Sequence, residues 1–213
     1  MDERDVETFL SAARIAADLA TGSEVADRWT DESACAGMTV GGLAHHLVGQ
    51  AVNTVRLLSA PPAPEEPTGL LDHYARAAWV TADHDDEVNV AVRESSDAEA
   101  AGGPGALREL VETTLADLPG VLRAPRDPDT VHIPWQGWSL STHDWAVTRL
   151  MEMVVHADDL AASIEVPTPE FPEDVVTPVL GLLAGVAVRR HGQAAVVRAL
   201  SRPQRAPASV SAF

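Results

Sequence analysis

The chain of 213 residues is long enough to bury one hydrophobic core, and its hydrophobic share of 46% and charged share of 22% are typical of a globular protein. Its formal net charge of -17 argues against a nucleic-acid partner, because phosphates would be repelled, and it disfavours an anionic membrane surface. Cys35 is the only cysteine, which excludes an internal disulfide and cysteine-based zinc motifs. The first residues lack the features of a signal peptide and no apolar run reaches membrane-spanning length, so we expect a cytoplasmic protein.

Two helices are predicted in the first sixty residues. Apolar side chains recur at spacings of three and four from Asp2 to Ala20, and Thr21-Gly22 ends that helix. Thr39 is a good N-cap for a second helix, from Val40 to about Ala60. The prolines that follow terminate the second helix and form a stiff connector.

The middle of the chain is predicted to hold further helices with a break between them. Thr68 can cap a third helix that reaches about Ala82, and residues 85–100 continue in helical form. The Gly-Gly-Pro-Gly run at 102–105 breaks the chain, and a fourth helix is predicted from Ala106 to Arg123. Residues 127–140 are predicted to be extended or loop-like.

The last third begins with the strongest helix signal. Ser141 and Thr142 cap a helix from His143 to about Ile164. Residues 172–200 give one or two more helices, and residues 202–213 look like a tail. The sequence therefore predicts an all-α bundle with a small irregular insert.

The helix from His143 carries a polar stripe, although it is apolar around most of its circumference. Glu152, His156 and Asp159 recur at spacings of four and three, so they share one face, and Arg149 extends the stripe one turn earlier. A buried carboxylate beside a buried imidazole is costly unless charges and hydrogen bonds are satisfied, and a metal ion can satisfy them. Solvated Glu/His pairs at this spacing are common, so this helix alone does not decide the matter.

The second helix shows the same anomaly. It is apolar, yet His46, Gln50 and Asn53 share one face at spacings of four and three. His45 lies about 100° around the helix and is an alternative ligand. A core histidine hydrogen-bonded to a carboxylate across the bundle would also explain the stripe. Two apolar helices with matching polar stripes favour a metal site.

His46, Glu152 and His156 are the predicted metal ligands. Three protein ligands leave a fourth tetrahedral position for water or substrate, which is the pattern of a catalytic zinc site. Nickel, iron and manganese accept the same donors, so the predicted metal is zinc with these as alternatives.

Two segments carry a family pattern: Thr39–Leu47, TVGGLAHHL, and Arg149–Leu160, RLMEMVVHADDL. They resemble the DinB-type metal-binding bundle superfamily, in its branch of mycothiol-dependent maleylpyruvate isomerase-like proteins. In that family the ligand follows the capping threonine by seven residues, which selects His46 over His45. The resemblance covers roughly residues 1–165 and implies a DinB-like four-helix bundle there. Residues 166–213 would then be extra C-terminal helices packed on the same domain.

The resemblance also implies an activity. Family members use zinc to bind a low-molecular-weight thiol, typically mycothiol, and present it as a thiolate to a small electrophile. Metal coordination deprotonates a thiol whose pKa is otherwise about 8.5, and the thiolate then attacks in a transfer or in a reversible, isomerising addition. The isomerase has a larger C-terminal domain than residues 166–213 provide, so we do not expect maleylpyruvate itself as the substrate.

Other residues are predicted to assist. Arg76 lies about where the isomerase carries an arginine for the substrate carboxylate, although a solvated surface arginine is an equally good interpretation. Asp159 would orient His156, bind the thiol or act in proton transfer. Further candidates to line the cofactor site are Arg149, Gln50, Trp135 and Trp138.

Two other functions fit the same residues. A zinc-dependent hydrolase of a small amide or ester would use the same three ligands, with metal-bound water as the nucleophile. A non-catalytic module would retain the bundle and its metal. In each case we expect a monomer or a homodimer whose partners are small molecules.

Overall fold

A computed structural model describes all 213 residues, and it is largely helical. The helices are α1 (Glu3–Ala20), α2 (Ser23–Asp27), α3 (Val40–Ser59), α4 (Leu70–Arg76), α5 (Glu87–Glu99), α6 (Gly103–Arg123), α7 (Thr142–Ser163), α8 (Glu173–His191) and α9 (Gln193–Ser201). The only sheet is a hairpin of β1 (Thr130–Ile133) and β2 (Trp138–Ser141). The predicted all-α bundle is confirmed.

Four long helices, α1, α3, α6 and α7, pack around one core, with α3 in contact with the other three. Helices α3 and α7 run antiparallel, since Gln50 bonds to Arg149 and Thr54 to Trp145. Apolar side chains at spacings of three and four give each helix a face that is shielded from water only when the helices pack. Large side chains that are fully buried in this core include Phe9, Leu43, Leu47, Leu107, Leu118, Met153 and Leu160.

Local capping places the starts of the three best-predicted helices. Asp2, Thr39 and Ser141 each have an extended backbone, and each side chain accepts a hydrogen bond from the backbone N–H three residues later. These bonds satisfy donors that a helix leaves free at its N-terminus. Helices α1, α3 and α7 therefore begin within one residue of the predicted positions.

The start of α3 is approached closely by neighbouring segments. Asp97 of α5 accepts hydrogen bonds from the backbone N–H and the hydroxyl of Thr39, at 3.0 and 2.6 Å. A Cβ at Gly41 would lie 2.5 Å from the Trp29 ring, and a Cβ at Gly42 would overlap Asp97. The two glycines therefore allow Trp29 and α5 to pack directly on α3.

The third helix is shorter than predicted. Gly69 rather than Thr68 is its N-cap, and α4 ends at Arg76 before a single 3-10 turn. That turn places Trp79 against Tyr74, with ring centroids 6.0 Å apart. The backbone becomes extended at Ala77, directly after the helix, and the local sequence does not signal this end.

The predicted helix at 85–100 is confirmed as α5, while α6 differs at its start. Helix α6 begins at Gly103, three residues before the predicted Ala106, and includes Pro104 in its first turn. Proline is accepted there because the first turn needs no backbone N–H.

The predicted irregular insert contains a β-hairpin. Strand β1 pairs antiparallel with β2, and Ile133 lies opposite Trp138. Gly137 adopts a φ of +78° in the connection, a conformation that glycine allows. Val131 and Leu140 are buried under the bundle end. The apolar side chains of the hairpin are buried in the core, which stabilises the hairpin. The hairpin in turn positions Trp138.

The predicted tail is docked on the protein. Helix α8 packs on α7, and the chain after α9 returns so that Phe213 lies 5.6 Å from Tyr74 and 4.9 Å from Trp79, centroid to centroid. Arg190 and His191 donate to backbone carbonyls of this segment. These contacts join the last residues to residues distant in sequence, and a helical extension and tail packed on the same domain over residues 166–213 stays a prediction. None of the helices combines the length and apolarity needed to cross a membrane.

Candidate metal centre

Helices α3 and α7 bring the predicted ligand trio together. One donor atom from each of His46, Glu152 and His156 lies within 4.8 Å of the other two. Glu152 Oε2 is 3.1 Å from His156 Nε2. The two imidazole rings are 4.8 Å apart and nearly perpendicular. The neighbouring His45 points elsewhere, with Nδ1 3.1 Å from Glu99 Oε2. The structure thus brings His46, and not His45, to the other two predicted ligands.

The ring of His46 is oriented by Ser96 of α5. The Ser96 hydroxyl donates to the carbonyl of Val92 at 2.8 Å, so its oxygen is free to accept from His46 Nδ1–H at 3.4 Å. A neutral imidazole with its proton on Nδ1 has a lone pair on Nε2. Burial is the main cause that lowers the pKa of His46 to about 4, with the charge of His156 as the next cause. His46 is therefore neutral at pH 7.

Asp159 holds the ring of His156 from the other side. Its Oδ2 lies 3.0 Å from His156 Nδ1 and 3.5 Å from Cys35 Sγ. Burial by itself would lower the pKa of His156, but hydrogen bonds with Asp159, Cys35 and Glu152 outweigh it and hold this pKa well above its usual value. Nδ1–H donating to a carboxylate is the usual way in which a protein orients a metal-binding histidine.

Glu152 remains ionised although it lies deep between the helices. Burial would raise its pKa, but the hydrogen bond from His156 and the charge of Arg149 lower it to about 2. Protein atoms surround both side chains, yet 15% of the Glu152 side chain and 22% of the His156 side chain still touch solvent. The trio is therefore largely buried between the helices, with a small part of two of its side chains in contact with solvent.

Arg149 and Gln50, predicted to bind a cofactor, bind each other. Arg149 Nη1 donates to Gln50 Oε1 at 2.6 Å, and the guanidinium lies 4.5 Å from the Trp145 ring. Gln50 in turn donates to the backbone carbonyl of His46 at 2.8 Å. Arg149 Nη2 is 4.0 Å from Glu152 Oε1. The pair thus holds the positive charge of Arg149 near Oε1 of Glu152, the carboxylate oxygen that does not face His156.

Helix α4 and the hairpin place Arg76 and Trp138 together. The Arg76 guanidinium stacks over the Trp138 ring at 4.3 Å and donates to Thr68 Oγ1 at 3.0 Å. The Trp138 indole N–H donates to Nδ1 of His73 at 3.0 Å. Arg76 is exposed to solvent and joined to the site through these side chains, without contact with the trio.

Trp135 has different neighbours from Trp138. Half of its surface is exposed, and its ring lies 6.3 Å from Trp145 and near Arg56. It is connected to the site only through Trp145, on which Arg149 stacks.

Four residues of this region were not predicted from sequence. Ser96 contacts the His46 ring, and Cys35 contacts Asp159, which orients His156. His73 and Tyr74 lie on α4 almost without solvent exposure. The sequence signal for His73 and Tyr74 was their position close to Arg76 on the same helix. A helix this short shows no periodicity, so the sequence does not reveal which of its side chains are buried.

Two other features do not include the whole trio. A cleft of about 740 Å³ lies between the starts of α1, α7 and α8, and none of the trio lines it. Cys35, His156 and Asp159 form a second group whose donor atoms lie within 4.8 Å of one another. This second group shares His156 with the trio, and its Asp159–His156 contact orients the ring of that histidine.

Residues 9–161 match the family model for the mycothiol maleylpyruvate isomerase N-terminal domain. The chain belongs to this family. The match includes α3, all but the last two residues of α7 and every residue of the candidate site described above, whereas α8 and α9 lie outside it. Neither the curated proteins nor the solved structures that were searched contain a significant match to the chain.

His73 gives this family member a testable pH dependence. Burial is the main cause that lowers the pKa of His73 to about 4, from about 6.5 in the unfolded chain. The unfolded state therefore binds more protons between these values, so the free energy of unfolding falls as the pH drops from 6.5 to 4, by about 3 kcal/mol for this group. We expect His73→Gln to flatten the pH dependence of urea unfolding in this window.

The control is His143→Gln, which replaces an exposed histidine. Metal-free protein is used throughout, so that the proposed metal ligands gain and lose protons with pH in the same way in all samples. A wild-type slope in His73→Gln would contradict the prediction.

Proposed function

We propose that the protein is a thiol-dependent transferase or isomerase that holds a divalent metal, with zinc preferred, on His46, Glu152 and His156. Mycothiol is its proposed co-substrate and a small electrophile its substrate. The metal would lower the pKa of a coordinated thiol so that it is present as the thiolate at neutral pH.

The observation that carries the proposal is the convergence of three donor atoms whose protonation suits a metal. His46 is neutral because burial lowers its pKa, and its lone pair is on Nε2 because Nδ1–H donates a hydrogen bond to the Ser96 hydroxyl oxygen. Glu152 is ionised, and Asp159 orients His156 so that Nε2 faces the carboxylate. Only one proton, shared between Glu152 and His156, must leave for the set to bind a cation.

The residues around the trio favour a small-molecule thiol over a cysteine of the protein as the source of the sulfur. Cys35, the only cysteine, is grouped with His156 and Asp159, and its Sγ lies 3.5 Å from Asp159 Oδ2, on the Nδ1 side of His156 rather than the side that faces Glu152. The sulfur would therefore come from a small molecule that reaches the trio. Arg149 provides a fixed positive charge next to Glu152, which favours an anionic thiolate at this place.

The test is calorimetric titration of mycothiol into zinc-loaded protein. We expect one equivalent to bind the loaded wild type, and neither the metal-free protein nor loaded protein titrated with S-methyl mycothiol to respond. S-methyl mycothiol is the matched ligand because it differs only at sulfur. Equal binding with and without zinc would refute thiol activation, and turnover of esters or amides without thiol would indicate the hydrolase instead.

A further inference from the structure

Cys35, His156 and Asp159 form a second set of metal-ligating side chains, called the Cys35 group below. One donor atom from each lies within 4.8 Å of the other two. Asp159 Oδ2 is 3.0 Å from His156 Nδ1 and 3.5 Å from Cys35 Sγ. Bonds of about 2.0 to 2.3 Å place the donors of one tetrahedral ion about 3.3 to 3.8 Å apart. The two contacts are therefore close to the spacing that a shared cation requires.

The position of Cys35 is fixed by bonds that do not involve its sulfur. The neighbouring backbone N–H of Ala34 donates to Ser163 Oγ at 2.8 Å, and the Ser163 hydroxyl donates to the carbonyl of Asp159 at 2.6 Å. The backbone N–H of Cys35 itself donates to Ser33 Oγ at 3.2 Å. These bonds hold the loop before α3 against the last turns of α7. The side chain of Cys35 is only half-buried, so an ion from solvent can reach the sulfur.

The Cys35 group lies on the other side of the His156 ring from Glu152. Nε2 of the ring is 3.1 Å from Glu152 Oε2, whereas Nδ1 faces Asp159. A neutral imidazole has one lone pair, so His156 can give it to an ion on one side at a time. An ion at Nδ1 also replaces the hydrogen bond between Asp159 and the ring, which an ion at Nε2 leaves in place. Binding to the Cys35 group therefore has a cost that binding to the trio does not have.

A soft cation can offset this cost. Thiolate sulfur is a soft donor that selects soft cations, whereas the trio provides only nitrogen and oxygen donors. An ion that gains little from sulfur binds better to the trio, where the Asp159–His156 hydrogen bond is kept. We therefore expect zinc to prefer the trio and a softer ion, such as Cd²⁺, to prefer the Cys35 group.

We propose that Cys35, Asp159 and Nδ1 of His156 form a second metal site, which takes a cation softer than zinc and shares its histidine with the trio. On binding, the Cys35 thiol loses its proton to solvent, and the ring proton of His156 moves from Nδ1 to Nε2. An ion in this site thereby withdraws His156 from the trio. This effect on the trio rests on the proposed function, whereas the site itself does not.

The site is tested by titrating Cd²⁺ into metal-free His46→Ala protein, in which the trio lacks one of its proposed ligands. The ultraviolet charge-transfer band of a cadmium–thiolate bond reports on Cys35 alone, because it is the only cysteine. We expect one equivalent of Cd²⁺ to produce this band, and Zn²⁺ to bind much more weakly by calorimetry. Glu152→Gln gives the same test in a second background. No band, or zinc bound as tightly as cadmium, would refute the proposal.

The matched controls are two neighbouring carboxylates of α7. In the His46→Ala background, Asp159→Asn should weaken Cd²⁺ binding by at least about ten-fold, since it removes a charged donor. Asp158→Asn should leave it unchanged, because Asp158 is bonded to Thr168 outside the Cys35 group. Equal affinities in the two variants would mean that the thiol binds the ion without Asp159, and the site would be disproved.

The sharing of His156 is tested on zinc-loaded wild type beside zinc-loaded Cys35→Ser, with a zinc-sensitive dye as the readout. We expect Cd²⁺ to release zinc from the wild type at a lower concentration than from Cys35→Ser, in which only direct competition at the trio remains. Equal release from both proteins would refute the sharing. The titrations of His46→Ala use no zinc-loaded protein, so a failure of the proposed function would leave their result unchanged.

Discussion

Zinc bound in one equivalent by the wild type will be lost from His156→Ala and from His46→Ala and retained by His45→Ala. The first two substitutions each remove one of the three proposed ligands, whereas His45 turns away toward Glu99. The comparison of His46 with His45 is a matched one, because the two residues are neighbours on α3. Elemental analysis after gel filtration measures the stoichiometry directly.

The residues around the ligands should tune the affinity. We expect Asp159→Asn to weaken zinc binding about ten- to a hundred-fold, because the amide no longer provides a charged acceptor for His156 Nδ1–H. Glu152→Gln keeps the shape of the side chain while removing its charge, and it should bind zinc more weakly still.

Chelation gives an independent readout of the same site. A metal that binds only the folded state stabilises it by RT ln(1 + [L]/Kd), so a chelator should lower the melting temperature of the wild type. It should leave that of His156→Ala unchanged. Full zinc occupancy in both the His46 and His156 variants would place the metal elsewhere.

Gly41→Ala should destabilise the protein by about 2 kcal/mol, as expected for overpacking against a rigid neighbour. The new methyl group would lie 2.5 to 2.7 Å from three atoms of the Trp29 indole. The indole cannot move away freely, since its N–H donates to the carbonyl of Ala100 at 3.2 Å. Urea denaturation of metal-free protein measures the loss.

The matched control lies two turns along the same helix. A Cβ at Gly49 would meet nothing within 4 Å. Glycine is a poor helix former, so Gly49→Ala should stabilise the protein by about 0.5 to 1 kcal/mol. Similar effects of the two substitutions would mean that Trp29 does not constrain α3.

The main helices could be predicted because their signals are local. A capping side chain bonds to a backbone group three residues away, and apolar spacing of three and four defines a face within one helix. Helices α3 and α7 carry both signals, and their ends were correct within about a residue. Helix α4 carries neither, and its length depends on how Trp79 packs against Tyr74.

The candidate site was predictable to the same extent. Spacing placed Glu152, His156 and Asp159 on one helix face, and the structure places all three there. Spacing alone did not decide whether His45 or His46 faces the other predicted ligands. The two side chains are about 100° apart around the helix, and only the position of the neighbouring helix determines which of them faces it. The family resemblance preferred His46, and the packing of α3 on α7 turns that residue toward Glu152.

The sequence alone determined the helices, the polar stripes and the residue types available for a metal site, since these depend on neighbours along the chain. Tertiary structure decided the rest. The antiparallel contact of α3 with α7 brings a ring nitrogen of His46 and Nε2 of His156 close to the Glu152 carboxylate, and α5 adds Ser96 beside His46 Nδ1. The hairpin adds Trp138 above His73. These contacts join residues far apart in sequence, and their positions depend on how whole helices pack, which no local pattern records.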